Sequence, residues 1–290
     1  MADRHPSAAI VGESDAIATL REQVRRLATF DTVGNPHVPT VLLQGETGTG
    51  KGLVARVLHD SGPRAHNPFI DVNCAAIPDT MLEAELFGFE AGAFTDARRA
   101  KPGLFEAASS GTLFLDEIDS LSLPLQAKLL KAIEEKSVRR LGAVSARRVD
   151  VKLIAATQHD LESLVANARF RADLYHRLAV LVLRIPPLRE RRDDVVLLAE
   201  RFFADFARAH GLAPRRLGED ARRWLRAHPW PGNVRELSHL VERATLLGPE
   251  GELSAAELDG LRAPLAPGTP PPGGTPRADA APASAREPAA

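Results

Sequence analysis

Short apolar runs alternate with helical periodicity through the first two thirds of the chain. Residues 40–44, 69–72, 112–115, 151–156 and 180–185 read as strands. The unbroken apolar character of several of them predicts burial on both faces, as in a parallel sheet. Between them lie helical patterns such as residues 125–135, so the region from 10 to 185 is predicted to be α/β with a parallel central sheet. Pro186-Pro187 interrupts the pattern. Beyond it Val195, Leu198, Ala199, Phe202 and Phe206 share one helix face, and residues 186–262 are expected to form a small all-α unit. From 263 to 290 the chain is mostly Pro, Ala, Gly and Thr, with Leu265 its one large aliphatic residue. Such a segment buries too little apolar surface to offset the entropy of ordering it, and a disordered tail or linker is expected. Residues 1–9 form a short N-terminal extension.

Composition narrows the function classes. Across 290 residues, 37 Lys and Arg against 38 Asp and Glu leave a net charge of −1, so no whole-chain grip on nucleic acid or anionic membrane is indicated. A single cysteine, Cys74, excludes an internal disulfide framework and a cysteine-based zinc site. The N-terminus lacks the apolar core of a secretory signal, and no apolar run approaches a membrane span. A soluble, cytoplasmic protein is expected.

The chemistry begins at Gly45-Glu-Thr-Gly-Thr-Gly-Lys51, which follows a predicted strand and opens a predicted helix. Glycines at this spacing let successive backbone N–H groups converge on phosphate oxygens, and the helix N-terminus adds favourable partial charge. Glu46, Thr47, Gly48, Thr49 and Gly50 complete the loop, and Lys51 would neutralise the β- and γ-phosphates. The Ser or Thr that usually follows the lysine and holds Mg²⁺ is replaced by Gly52. A second half-site is expected at another strand end, and Asp116-Glu117 after Leu113-Phe-Leu115 supplies it. Asp116 would bind Mg²⁺ and Glu117 would polarise an attacking water. The pair of motifs predicts binding, and hydrolysis, of a nucleoside triphosphate.

With these motifs placed, the chain resembles the AAA+ domain of bacterial sigma-54-dependent transcription activators, over residues 10–247. The likeness rests on Ile10-Val-Gly-Glu-Ser14, the P-loop, Val72-Asn-Cys-Ala-Ala76, Glu85-Leu-Phe-Gly88, Gly92-Ala-Phe-Thr-Asp-Ala97 and Gly111-Thr-Leu-Phe-Leu-Asp-Glu117. Phe170-Arg-Ala-Asp-Leu-Tyr-His-Arg177, Pro186-Pro-Leu-Arg-Glu-Arg191 and Trp230-Pro-Gly-Asn-Val-Arg-Glu-Leu237 follow in order. The resemblance implies an AAA+ P-loop ATPase subdomain at 10–185, a helical lid at 186–262, and a ring, usually hexameric, with ATP and Mg²⁺ between subunits. It implies that hydrolysis remodels RNA polymerase carrying sigma-54 from a closed to an open promoter complex. By the same resemblance Lys51, Asp116 and Glu117 are the Walker residues, and Asn73 pairs with the Walker B glutamate. Thr157 takes the sensor I position and Arg235 the sensor II position. Arg171 and Arg177 match the arginine fingers that reach a neighbouring subunit's nucleotide; read without the family, they are as well explained as surface partners of Asp173 or nearby acids.

Gly92, Ala93, Phe94, Thr95, Asp96 and Ala97 align with the family's sigma-54 contact loop, where Phe94 and Thr95 would project from the ring. Taken alone, Phe87, Phe89 and Phe94 also fit a turn tucked into the core. Asp96 stands where the family has glycine, placing a negative charge beside Phe94. Gln158 stands where asparagine is typical. Arg139-Arg140 and Arg147-Arg148 flank a match to a second pore-facing loop, or form a solvated charged turn. The arginines between 215 and 226 read as a charged helix face rather than a DNA reader. Neither a regulatory domain before residue 10 nor a helix-turn-helix after the lid is seen, so contact with DNA is expected to be indirect unless the chain is a fragment. Two alternatives stay open: a remodelling-deficient module that co-assembles with other activators, and an AAA+ ATPase with another macromolecular target.

Overall fold

The computed structural model describes residues 9–35, 38–95, 97–191, 193–248 and 251–262. The expected extension through residue 8, Asp96 and the expected tail from 263 lie outside the described residues.

Five strands, β1 (Val41–Gln44), β2 (Phe69–Asn73), β3 (Thr112–Asp116), β4 (Lys152–Thr157) and β5 (Leu181–Arg184), form one sheet in the order β2-β3-β4-β1-β5. Every pairing is parallel. Strand alternation divides the side chains between two layers. Leu42, Leu113, Leu115, Leu153 and Ala155 join one core cluster, while Val41, Leu43, Phe114, Ile154 and Ala156 join the other. Full burial of each such leucine or isoleucine contributes about 1.5–3 kcal/mol.

Helices cover both faces. α1 (Asp15–Thr29) buries Ile17, Leu20, Val24 and Ala28, one stripe at helical spacing. With α2 (Lys51–Asp60) it closes the Phe114 face. α3 (Asp79–Phe87), α4 (Leu104–Ala107), α5 (Leu123–Glu135), α6 (Leu161–Ala166) and α7 (Ala172–Leu178) serve the other.

The expectation of strands buried on both faces holds for β4, buried at every position, and fails for β5. There Val182 is 39% exposed and Val180, beyond the strand, 54%. The reason is position: β5 is an edge strand, where Leu183 and Ile185 are buried in the adjacent core and Leu181 packs against it half-buried.

The C-terminal helices α8 (Asp194–His210), α9 (Glu219–Ala227), α10 (Asn233–Leu247) and α11 (Ala255–Arg262) surround their own core, centred on Phe203 and the buried Trp230. The sequence pattern predicts helices alone here. The structure adds a two-residue parallel ladder, Arg216–Leu217 with Glu252–Leu253, too short to show as a periodicity. Asp194 fastens this unit to the start of the chain, accepting hydrogen bonds from the Glu13 N–H (2.6 Å), the Ser14 N–H (3.0 Å) and the Ser14 hydroxyl (2.6 Å).

Candidate functional site

Parallel pairing brings the carboxyl ends of the inner strands together, where open α/β sheets place ligands. Asn73 is the register partner of Asp116, and Gln44 the partner of Thr157. The loop from Gly45 to Gly50 leaves β1 here and enters α2 at Lys51. Its glycines are required by geometry. Gly50 has φ +100°, and a Cβ on Gly48 (φ +78°) would meet the Gly232 carbonyl oxygen at 2.3 Å.

Lys51 is 8% exposed. Its Nζ donates to the carbonyls of Gly45 (2.8 Å) and Glu46 (3.2 Å). Burial pushes its pKa down, while Asp116, Glu117 and Asp119 pull it up and Arg235 pushes it down again. The exposed Arg235 and the buried Lys51 thus act on one another across the loop, with three carboxylates nearby. A solvated lysine on a glycine turn is excluded.

Asp116 ends β3, and its Oδ1 accepts the Glu117 N–H at 3.0 Å. Glu117 adopts a left-handed conformation, φ +55°, a strain that non-glycine residues carry mainly where surrounding structure fixes them. Asn73 does not reach Glu117 among the described residues. Its Oδ1 accepts from the N–H groups of Ala75 (2.9 Å) and Ala76 (3.1 Å), capping the turn after β2. Cys74 lies beside these carboxylates, but burial first, then the Asp116, Asp119 and Glu117 charges, push its thiol up to about 12. Gly52 is exposed and offers no hydroxyl, and Thr49 donates its own to the Glu46 carbonyl at 2.8 Å. Among the described residues no group of three or more His, Cys, Asp or Glu is placed to hold a metal.

Thr157 is fully buried, its hydroxyl donating to Asp119 rather than opening toward the loop. The next residue, Gln158, faces the loop instead, its Oε1 accepting from the Thr47 hydroxyl.

The C-terminal unit closes over the same loop. Asn233, buried at φ +51°, receives the Leu188 N–H (2.8 Å) and donates to Glu46 (3.1 Å) and the Thr47 carbonyl (3.0 Å). The Arg235 N–H donates to the Gly48 carbonyl (3.2 Å) and Arg191 to the Thr49 carbonyl (3.0 Å). Burial lowers Arg191 to about 10. Hydrogen bonds from Arg189, then Asn233, hold Glu46 down to about 2. Beside Thr49 and Gly50, Ile10, Val11, Leu53 and Val234 help line a cavity of about 220 Å³ that Arg191, Arg201 and Asp205 also border. A larger cleft of about 1030 Å³ runs between α1 and the β5 edge. It touches the loop at Gly45 and Glu46 but lacks Lys51, Asp116 and Glu117, so the phosphate chemistry lies elsewhere.

Arg171 and Arg177 are not part of this cluster of contacts. Both sit on α7 or its cap and are exposed. Arg171 pairs with Asp173 at 3.0 and 2.7 Å; Arg177 forms no ion pair among the described residues.

Two hydrogen bonds tie the described residues of the loop at 92–97: the Gly92 N–H donates to the Ala97 carbonyl (2.8 Å) and the Ala97 N–H to the Phe94 carbonyl (2.9 Å). Phe87 is buried, but Phe94 is 45% exposed, its ring 4.9 Å from that of Phe89. Gly92 and Thr95 are exposed, Ala93 is partly covered and Ala97 is buried. Arg140 joins this loop's base to the second loop, contacting Glu106 (2.6 and 2.7 Å) and Glu90 (3.2 Å), with Arg147 alongside.

Glu46, Asp119, Arg189, Arg191 and Asn233 carry contacts at the site that motif spacing did not single out, apart from Glu46's place in the loop. The unbroken Pro-Pro-Leu-Arg-Glu-Arg191 and Gly232-Asn-Val-Arg235 runs were the available signals.

Comparison with known proteins agrees with this geometry. Residues 10–184 match the model of the sigma-54 interaction domain, and residues 189–266 that of the AAA+ ATPase lid domain. The response regulator protein PilR of Pseudomonas aeruginosa is 47% identical over 86% of this chain and 54% of its own length. The Nif-specific regulatory protein of Azotobacter vinelandii is 46% identical over 84% and 45%. The chain spans about half the length of these relatives. Among solved structures, NtrX from Brucella abortus in complex with ATP superposes with a TM-score of 0.77 at 37% identity, covering 88% of this chain and 57% of that one. Its complex with ADP gives 0.76 at 37% identity, covering 86% and 54%. The chain therefore belongs to the sigma-54 interaction domain family of AAA+ proteins, that of the sigma-54-dependent transcription activators.

Proposed function

We propose that this chain is an ATP-hydrolysing motor that engages sigma-54 and converts the closed promoter complex of sigma-54 RNA polymerase to the open one. It acts in the cytoplasm as a ring of identical subunits, hexameric by resemblance. In this reading residues 10–185 are the ATPase subdomain, 186–262 the lid and 263–290 a linker. The observation that carries it is the convergence of Lys51, Arg235, Asp116 and Glu117 around a glycine loop whose carbonyls already face Lys51 Nζ.

The residues divide the work. Gly45, Glu46, Thr47, Gly48, Thr49, Gly50, Lys51 and Gly52 wrap the triphosphate. Asp116 fits Mg²⁺, which when bound neutralises charge between the β- and γ-phosphates. Asn73 sets Glu117 in response to the γ-phosphate, which requires it to leave its capping bonds. Glu117 polarises a water whose oxygen attacks the γ-phosphorus. The bond to the β,γ-bridging oxygen breaks, its electron pair leaves with ADP, and the water's proton passes through Glu117 to solvent. Charge spread over the transferring group is offset by Lys51, Arg235 and, from a neighbouring subunit, Arg171 and Arg177. Thr157 serves at the end of β4. Gly92, Ala93, Phe94, Thr95, Asp96 and Ala97 form the sigma-54 contact, with exposed Phe94 its apolar tip.

The test is complex formation with purified sigma-54 in the presence of ADP–aluminium fluoride and Mg²⁺. A complex is expected for the wild type and its loss for Phe94→Ala, with ATP turnover retained. No complex, under conditions where a known activator forms one, would overturn the sigma-54 reading and leave a module that modulates other activators.

A further inference from the structure

The two edges of the central sheet are finished differently. β2 exposes Asp71 and Asn73, and the Arg56 guanidinium lies 3.8 Å from the centre of the Phe69 ring. Charged groups of this kind discourage a further strand. β5, at the other edge, leaves Val182 39% exposed and Val180, just before it, 54%.

The backbone of that edge is open as well. The Ile185 N–H donates to the Gln44 carbonyl of β1 at 2.8 Å. Alternate residues of a strand turn their N–H and C=O groups to the same neighbour, so those of Leu183 face β1 and those of Val182 and Arg184 face away. The outward groups hydrogen-bond to no described residue. They border the cleft of about 1030 Å³, walled by Thr19 and Gln23 of α1 and by Glu162 and Tyr175 of α6 and α7. The cleft carries a charge of one sign. Asp160, Glu162 and Glu190 line it, and Arg184 is the one cation among its described lining residues; Glu46, also there, is paired with Arg189 at 2.6 Å.

We propose that β5 is a docking edge, to which an extended segment of a partner protein, alternating apolar and basic side chains, adds as a sixth strand. Main-chain hydrogen bonds to Val182 and Arg184 supply the affinity, and the side chains along the cleft supply the selection. The exposed valines meet the segment's apolar side chains, and the excess of carboxylates meets its basic ones. The chain's own residues 263–290 fit poorly: eight prolines fall among them, and a proline has no N–H to give a ladder. The inference is independent of the nucleotide site and of sigma-54.

The experiment titrates the full chain into a fluorescein-labelled peptide, Thr-Lys-Val-Arg-Val-Lys-Thr, and reads anisotropy at physiological salt. Binding is expected, with the Val182 and Arg184 amides becoming protected from hydrogen exchange. A peptide with glutamate in place of each basic residue should not bind. Of two peptides N-methylated at alternate residues, one in each phase, one should lose binding and the other keep it, because only one set of amides faces β5. Val182→Pro removes an outward N–H and spares the ladder to β1, a position where an edge strand tolerates proline; affinity should fall about fivefold or more. If Val182→Pro does not fold, Val182→Lys replaces it and should show the same loss, since a lysine on an edge repels a basic strand. Four outcomes would each overturn the proposal: no binding by the wild type, equal binding of the acidic peptide, equal binding of both N-methylated peptides, or unchanged affinity in the Val182 variants. Loss of self-association in Val182→Lys with peptide binding intact, read by sedimentation, would also overturn it and assign the edge to a second copy of the chain.

Discussion

The phosphate loop and the α7 face both carry cations, and they differ in what holds them. Lys51 is buried, with its ammonium fixed by two backbone carbonyls at 2.8 and 3.2 Å. Arg177 is exposed without an ion pair among the described residues, and Arg171 leans on Asp173, two residues along its own helix. A fixed charge in a partly dry site stabilises a transition state because it needs no reorganisation; an exposed, mobile one does not. Within one chain the lysine is held by its own loop, whereas Arg171 and Arg177 stay at the surface, and the proposed reading has a neighbouring subunit's nucleotide bring them into use.

The sharpest way to break this comparison is Arg177→Ala. Turnover should fall by about 10³-fold or more if the arginine acts in trans, with ATP affinity little changed. Mixing Arg177→Ala with Lys51→Ala should restore part of the activity, since some interfaces then pair an intact loop with an intact arginine. Steady-state ATPase assays across protein concentrations check both, and an unchanged rate in Arg177→Ala would make α7 an ordinary surface.

Lys51→Ala should cost about 10²–10³-fold in turnover, as loss of one preorganised donor does elsewhere, and should also weaken ATP binding in direct titration. That second effect separates the two cations: Lys51 binds and stabilises, Arg177 only stabilises.

The lid side of the loop gives a smaller, thermodynamic test. Asn233→Ala leaves the buried Leu188 N–H without its acceptor and puts alanine at φ +51°. A loss of about 2–3 kcal/mol is expected in chemical denaturation. Arg177→Ala, by contrast, should leave stability nearly unchanged.

The smallest effect is a pH dependence. Glu46 is held down to about 2, first by its hydrogen bonds from Arg189. A carboxylate with a depressed folded-state pKa contributes stability above its unfolded value, and that contribution is lost as pH falls through the folded value. The Glu46–Arg189 link should therefore persist through neutral and mildly acidic pH and fail between about 4.5 and 2. Arg189→Ala should move the Glu46 midpoint up toward 4.5, read by NMR titration of its side-chain carbon. Both side chains are more than 40% exposed, so solvent screening keeps the energetic effect small.

Much of the fold and of the site was legible in sequence, and the limit has a physical form. The glycine loop could be read because consecutive residues make its geometry, and Asp116-Glu117 because it ends an apolar strand. Phe94 was ambiguous: a phenylalanine between glycines fits a core turn or an exposed tip, and only its 45% exposure decides. Nothing local foretold that Thr157 would be fully buried with its hydroxyl on Asp119, or that Gln158 would meet Thr47 of the loop, because both contacts join residues far apart along the chain.

Periodicity in the sequence determined which segments are strands and helices and which stripes are apolar, since these depend on residues within a few positions of one another. It also determined the phosphate-binding chemistry, for the same reason. The tertiary structure decided which strands lie at the edges, and so why Val182 of β5 is exposed while all of β4 is buried. It decided that Lys152, in an otherwise apolar strand, is buried against Asp31 at 3.3 Å beside the Arg64 guanidinium. It joined Asn233 to Glu46 across 187 positions and Asp119 to Thr157 across 38. These contacts join positions far apart along the chain, and local preference carries no term for a partner that only folding brings near.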